Sequence, residues 1–176
     1  MQRINVTGTS CSGKTTLARA LADRLELPHV ELDALFWGAG WEPRPPEQFR
    51  ADLEAALSAE AWVADGGYQA ARDITWRRVD TVVWLDYPLR TVLARWAART
   101  VRRLRTGEEL WPGTGNRETL ARAIGRESLL WWILRTHRGR RRRTAARLAE
   151  RPEIRVVRLR SPGAARRWLA GVSRLR

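Results

Sequence analysis

The chain has 176 residues with an apolar fraction of 44%, enough for one domain with a real core and too much for wholesale disorder. A formal charge of +14 draws in polyanions such as nucleotides, nucleic acid or acidic membrane surfaces, and says nothing about fold. The single cysteine, Cys11, excludes an intramolecular disulfide, and no run of about 18 apolar residues is present to span a membrane.

A short strand is predicted over residues 3–7, followed at once by a turn containing Gly8 and Gly13. From Lys14 to Glu26 the apolar Leu17, Ala18, Leu21, Ala22 and Leu25 recur at helical spacing, and Pro28 stops the helix. His29–Leu32 makes a second strand reaching Asp33. The stretch from Leu35 to Pro46, with Trp37, Trp41 and several prolines and glycines, reads as an ordered loop. A helix follows over about 46–59, with Pro46 in its first turn. Trp62–Ala64 and Thr81–Leu85 are continuous apolar runs, as parallel strands buried on both faces require; they end in Asp65 and Asp86. A helix is expected from Leu89 to Arg105, a mobile loop over 106–117, and a helix from Glu118 through the Arg138–Arg143 run to Glu150. A fifth strand over 154–159 and a helix over 162–169 complete the series. Strands alternating with helices predict a three-layer α/β sandwich around a five-stranded parallel sheet, as one domain over 1–176. The N-terminal residues lack the features of a signal peptide, so a cytoplasmic protein is expected.

Gly8-Thr9-Ser10-Cys11-Ser12-Gly13-Lys14-Thr15 matches the phosphate-binding pattern G-x-x-x-x-G-K-[ST], between a strand and a helix as that motif requires. Gly8 and Gly13 give the backbone conformations closed to residues with a Cβ, and the N–H groups of Ser10, Cys11 and Ser12 converge with the helix N-terminus on an anion. In this pattern Lys14 bridges the β- and γ-phosphates, Thr15 ligates Mg²⁺, and Thr16 reaches the α-phosphate, so ATP and Mg²⁺ are the expected cofactors. Lys14 is the sole lysine of the chain, where a compact point charge serves better than a guanidinium fork. A helix N-terminus is expected to lower the thiol pKa of Cys11, though no second cysteine is present to give it a redox partner.

The chain resembles the P-loop nucleoside-monophosphate-kinase-like proteins, and within them the small bacterial adenylate-kinase-related group called DNA topology modulation proteins. The resemblance is carried by residues 8–16, Glu31-Leu32-Asp33-Ala34-Leu35-Phe36-Trp37, residues 62–68, residues 82–88, residues 110–118 and Trp131-Trp132. It implies an acceptor-binding region after the second strand, about 33–60, and an arginine-bearing helical lid, about 99–118. Gly67 departs from the group, whose members commonly carry asparagine there.

Asp33, Asp65 and Asp86 follow apolar strands, at the sheet edge where open α/β folds bind ligands. Asp33 and Asp65 are candidates for the acceptor and, with Thr15, for the metal; Asp86 reads as a turn residue. Arg95, Arg99, Arg102 and Arg103 share a helix face, and Arg99 and Arg103 sit where guanidinium groups can neutralise a phosphoryl transition state. Arg117 is a further nucleotide-binding candidate, and the Arg138–Arg143 run reads as a solvated helix end or a nucleic-acid contact. Trp62 and Trp84 are expected in the core, and Trp96, Trp131, Trp132 and Trp168 against the sheet. Trp37, Trp41 and Trp111 either stack on a planar ligand or form a loop core. Together these residues point to a kinase moving the γ-phosphate of ATP to a small acceptor; a nucleotide-dependent nucleic-acid binder and a non-catalytic NTP-binding regulator are the alternatives.

Overall fold

The computed structural model describes residues 1–125 and 128–173. Five strands, β1 (Arg3–Gly8), β2 (His29–Glu31), β3 (Trp62–Asp65), β4 (Thr81–Leu85) and β5 (Arg155–Leu159), form one parallel sheet in the order β2-β3-β1-β4-β5. The three inner strands are almost wholly buried because helices cover both faces; β3 and β4 are accordingly near-continuous apolar runs, whereas β1 alternates Ile4 and Val6 with Asn5 and Thr7. On one face α1 (Lys14–Leu25), α5 (Leu89–Thr106), α7 (Leu129–Ala149) and α8 (Pro162–Gly171) bring Leu21, Val92, Ile133 and Ala165 onto Ile4, Val6 and Val83. On the other, α3 (Pro46–Ala56) and α4 (Arg72–Arg77) bring Phe49, Leu53 and Ile74 onto Trp62, Ala64, Val82 and Trp84. β5 is an edge strand, and its exposed Val156 stands among Arg155 and Arg158, charges that discourage pairing with another chain.

The β-αβ order follows the predicted one, with four local departures. β2 ends at Glu31, and Asp33 lies in the first turn of a short helix, α2 (Leu32–Phe36), where a carboxylate suits the positive helix end. The turn is fixed by the buried Leu32: a Cβ on Gly66, whose φ is +127°, would lie 2.7 Å from the Leu32 Cβ. The helix expected from Glu118 to Glu150 is two, α6 (Leu120–Ile124) and α7, and residues 126–127 of the predicted span lie outside the described residues. Gly125 closes α6, its backbone so near the Ala121 carbonyl that a Cβ would lie 2.5 Å from that oxygen. The 106–117 segment, expected as a mobile loop, is a hydrogen-bonded turn. Leu110 N–H donates to Asn116 O at 2.7 Å, the Thr114 hydroxyl caps Leu110 and Trp111, and Glu109 pairs with Arg117. α4 was not anticipated: at six residues it is too short to show a periodic pattern.

Trp62 and Trp84 lie in the core as expected, and Trp96 and Trp168 pack against it. Trp131 and Trp132 do not pack on the sheet; they are 43% and 52% exposed, because Ile133 is the residue of that turn that faces inward. Among the described residues no helix is long and apolar enough to cross a membrane.

Candidate active site

Beyond the carboxyl ends of the strands lies an open cleft of about 1620 Å³, larger than the usual pocket of one drug-sized ligand. Its floor is the loop between β1 and α1. Gly8 has φ +154°, and a Cβ there would lie 2.8 Å from the Leu85 carbonyl oxygen. Gly13 has φ +90°, and a Cβ there would lie 2.3 Å from an Nη of Arg95, whose guanidinium therefore rests directly on the loop. Inside the loop Ser12 N–H donates to Thr9 O at 3.0 Å, and Lys14 Nζ lies 3.4 Å from the same carbonyl. Burial lowers the Lys14 pKa, with Asp33 and Asp65 opposing it. Ser10, Cys11, Gly13, Lys14, Thr15 and Thr16 line the cleft, whereas Gly8 and the buried Ser12 shape the loop from beneath. The expectation for Cys11 is corrected: burial raises its thiol pKa, outweighing Arg99 and Lys14, so it is not a reactive thiolate.

Asp65 is buried behind the loop and accepts two hydrogen bonds, from the Thr15 hydroxyl at 2.7 Å and from His29 Nε2 at 2.9 Å. A hydroxyl and a carboxylate oxygen in contact at a helix N-terminus are hard oxygen donors, few in number. They fit Mg²⁺, which takes one or two protein oxygens and draws its remaining ligands from phosphates and water. Among the described residues there is no cluster of three or more His, Cys, Asp or Glu side chains that would hold a metal by itself.

At the other end of the cleft Asp33 accepts a hydrogen bond from the Tyr68 hydroxyl at 2.6 Å. Tyr68 is itself fixed by stacking on Phe36, with ring centroids 4.3 Å apart, and by an edge contact with Phe49. Burial and the Asp33 charge hold the phenol far above its ordinary pKa, so it remains a donor and Asp33 keeps its other oxygen for the cleft. Four guanidinium groups face this end: Arg72 of α4 and Arg140, Arg143 and Arg147 of α7. Burial followed by mutual repulsion lowers the pKa of Arg72, Arg140 and Arg147, with Asp33 opposing for Arg140. These arginines were not singled out from the sequence as site residues. The signal was present: 140, 143 and 147 stand at i, i+3 and i+7, one face of a helix. Gly67 lies beside them with room for a side chain, its nearest neighbour being Arg140 at 3.7 Å from a built Cβ. The Arg138–Arg143 run is thus divided: Arg141 binds Asp86, Arg140 and Arg143 line the cleft, and Arg138 and Arg142 are exposed away from it. Asp86, expected in a turn, is a buried anchor that accepts from both Arg141 and Arg158.

The α5 arginines line the cleft beside the loop. Arg99 and Arg103 line the cleft as expected, and both face Glu118, at 4.0 and 3.6 Å. Glu108 binds Arg102 with both oxygens and also receives Arg103. Arg117 does not line the cleft; its guanidinium lies toward Gly107 at the base of the turn. The turn is fastened to the 37–41 segment opposite: Asn116 accepts from Trp41 N–H and donates to Gly38 O, each at 2.8 Å. Trp111 donates to Glu31 at 3.0 Å, and Trp37, Trp41 and Trp111 meet edge to face in sequence. These three tryptophans therefore form a loop core between two segments and also line the cleft.

No protein-family model matches the sequence, and no curated protein matches it. The fold superposes on shikimate kinase from Bacteroides thetaiotaomicron with a TM-score of 0.52 at 19% identity, over 96% of this chain and 94% of that one. It superposes on a gluconokinase from Sinorhizobium meliloti with a TM-score of 0.51 at 21% identity, over 97% and 90%. For shikimate kinase from Acinetobacter baumannii the TM-score is 0.50 at 21% identity, over 97% and 89%. At such identities the likeness is one of fold: the P-loop kinase arrangement of a five-stranded parallel sheet with helices on both sides.

Proposed function

We propose that this chain is an ATP-dependent kinase that moves the γ-phosphoryl group of ATP onto an oxygen of a small acceptor carrying an anionic group. One observation carries the reading: the phosphate loop with Lys14 and the Asp33 carboxylate open into the same cleft, with four guanidinium groups at the acceptor end. The fold neighbours support it, being proteins that bear the names of small-molecule kinases. The 33–60 segment is the acceptor-binding region and the 99–118 segment the lid of a single domain.

The roles follow from the geometry. The loop N–H groups and Lys14 hold the β- and γ-phosphates. Thr15 and Asp65 would hold Mg²⁺, which would supply charge neutralisation at the phosphates. Asp33, with one oxygen fixed by Tyr68, accepts the proton of the acceptor hydroxyl as the new P–O bond forms and ADP departs. Arg99 and Arg103, with Arg95 over the loop, offset charge on the transferring group. Arg72, Arg140, Arg143 and Arg147 hold the anionic part of the acceptor. No part of this reading rests on a nucleic-acid role, since the arginine run that suggested one is largely taken up by the cleft and by Asp86.

Thermal unfolding tests it. ATP with Mg²⁺ at one hundred times its Kd stabilises the wild type by about 2.7 kcal/mol, and Lys14→Ala removes the effect. Acceptors are then found as anionic hydroxy compounds that raise ATP turnover, a response Arg140→Gln loses while keeping the ATP shift. A wild type that does not respond to ATP with Mg²⁺ would refute the proposal.

A further inference from the structure

α7 reaches the phosphate loop through one buried side-chain pair. His137 Nδ1 lies 3.0 Å from Thr9 Oγ1, 128 positions away in sequence, and the two residues are 3% and 5% exposed. Thr9 is the hub of the loop, since its carbonyl receives both Ser12 N–H and Lys14 Nζ. One turn further along α7, Arg141 binds Asp86, which follows β4, and β4 is paired with β1 up to Gly8. On the adjoining face of the same helix, Arg140 and Arg143 look into the acceptor end of the cleft. His137 itself does not line the cleft. Burial disfavours its protonation, as do Arg141 and Arg138, with Asp86 opposing. The ring is therefore neutral, with one nitrogen to donate and one to accept, and the Thr9 hydroxyl can serve either tautomer.

We propose that His137 is a positioning residue of the phosphate loop: through Thr9 it holds the loop and Lys14 in register with the helix that presents Arg140 and Arg143 to the acceptor. The proposal rests on the kinase reading above, because register between the two ends matters only if both are occupied in one reaction. A group displaced by about 1 Å in such a site costs on the order of a hundredfold in rate. Arg141–Asp86 fixes the height of α7 on the sheet, and the histidine extends that fixation to the loop.

The test is equilibrium binding of adenylyl imidodiphosphate with Mg²⁺ to the full chain, followed by tryptophan fluorescence. Thr9→Val, which keeps the shape and removes the hydroxyl, and His137→Phe, which fills the site without a nitrogen, each weaken binding by about tenfold, the scale of one lost buried hydrogen bond. The double variant is no weaker than either single one, and Thr9→Ser stays within about twofold of wild type because it keeps the bond. Equal affinities for Thr9→Val and wild type overturn the proposal, as does an additive double variant. If His137→Phe does not fold, the serine and valine pair at position 9 decides: loss in valine with recovery in serine supports the role, and parity overturns it. A wild type that fails to bind the analogue sinks the kinase reading as well, whereas binding that ignores all these changes sinks the histidine alone.

Discussion

Asp65 receives Thr15 on one oxygen and His29 on the other, so a single buried carboxylate joins the loop helix to the β2 edge strand. Asp65→Asn keeps the shape but replaces one acceptor oxygen with an N–H₂ group, leaving Thr15 or His29 facing a donor. The expected loss is about 1–3 kcal/mol of stability in urea unfolding, together with the Mg²⁺-dependent part of the ATP thermal shift. The phosphate loop was legible at this scale because eight consecutive residues fix its geometry locally: Gly8 and Gly13 lie where no Cβ fits, and Lys14 where a compact cation is needed. The partners of those residues were not legible. Nothing near Thr9 announces His137, and nothing near Gly13 announces Arg95, because each contact is made only when distant elements pack.

α7 and the 106–117 turn are the elements whose meaning depends on what they touch. Burial pushes the Asp86 carboxyl up, but hydrogen bonds from Arg141 and Arg158 outweigh it and hold the carboxyl below the usual range. A depressed folded pKa contributes stability that is complete above the unfolded value of about 3.9 and is lost as pH falls through the folded one. Asp86→Asn is therefore expected to cost about 1–3 kcal/mol at neutral pH, and its difference from wild type should shrink progressively below about pH 4 in urea titrations. At the end of the 106–117 turn Glu118 is largely buried against Arg99 and Arg103, so on the proposed kinase reading it competes with phosphate for both. Glu118→Gln removes that competitor, so ATP affinity should rise by about twofold to fivefold by calorimetry, the range of a weak ion pair of under ~1 kcal/mol. At this scale the sequence predicted the arginines of α5 and their spacing but not the glutamates that restrain them, since Glu108 and Glu118 lie beyond the helix in a turn whose fold only its hydrogen bonds define.

For the whole molecule, a charge of +14 with arginines gathered at both ends of one cleft makes an electrostatic funnel for anions. The association rate of ATP, read by stopped-flow tryptophan fluorescence, should fall several-fold between about 50 mM and 500 mM salt, as the Debye length contracts from about 14 Å to about 4 Å. A rate independent of salt would mean that the guanidinium groups are too well paired to attract ligand. The sequence by itself determined the α/β class, the five strands and the phosphate loop, because apolar runs, helical periods and glycine turns express contacts between near neighbours. Only the tertiary structure decided which of many arginines face the cleft. It divided the run from Arg138 to Arg143 among solvent, Asp86 and the cleft, and it set Tyr68 on Asp33 and His137 on Thr9. Charge is the least local property of a side chain: its role is fixed by what lies opposite, and the opposite residue is chosen by the packing of the sheet and its helices.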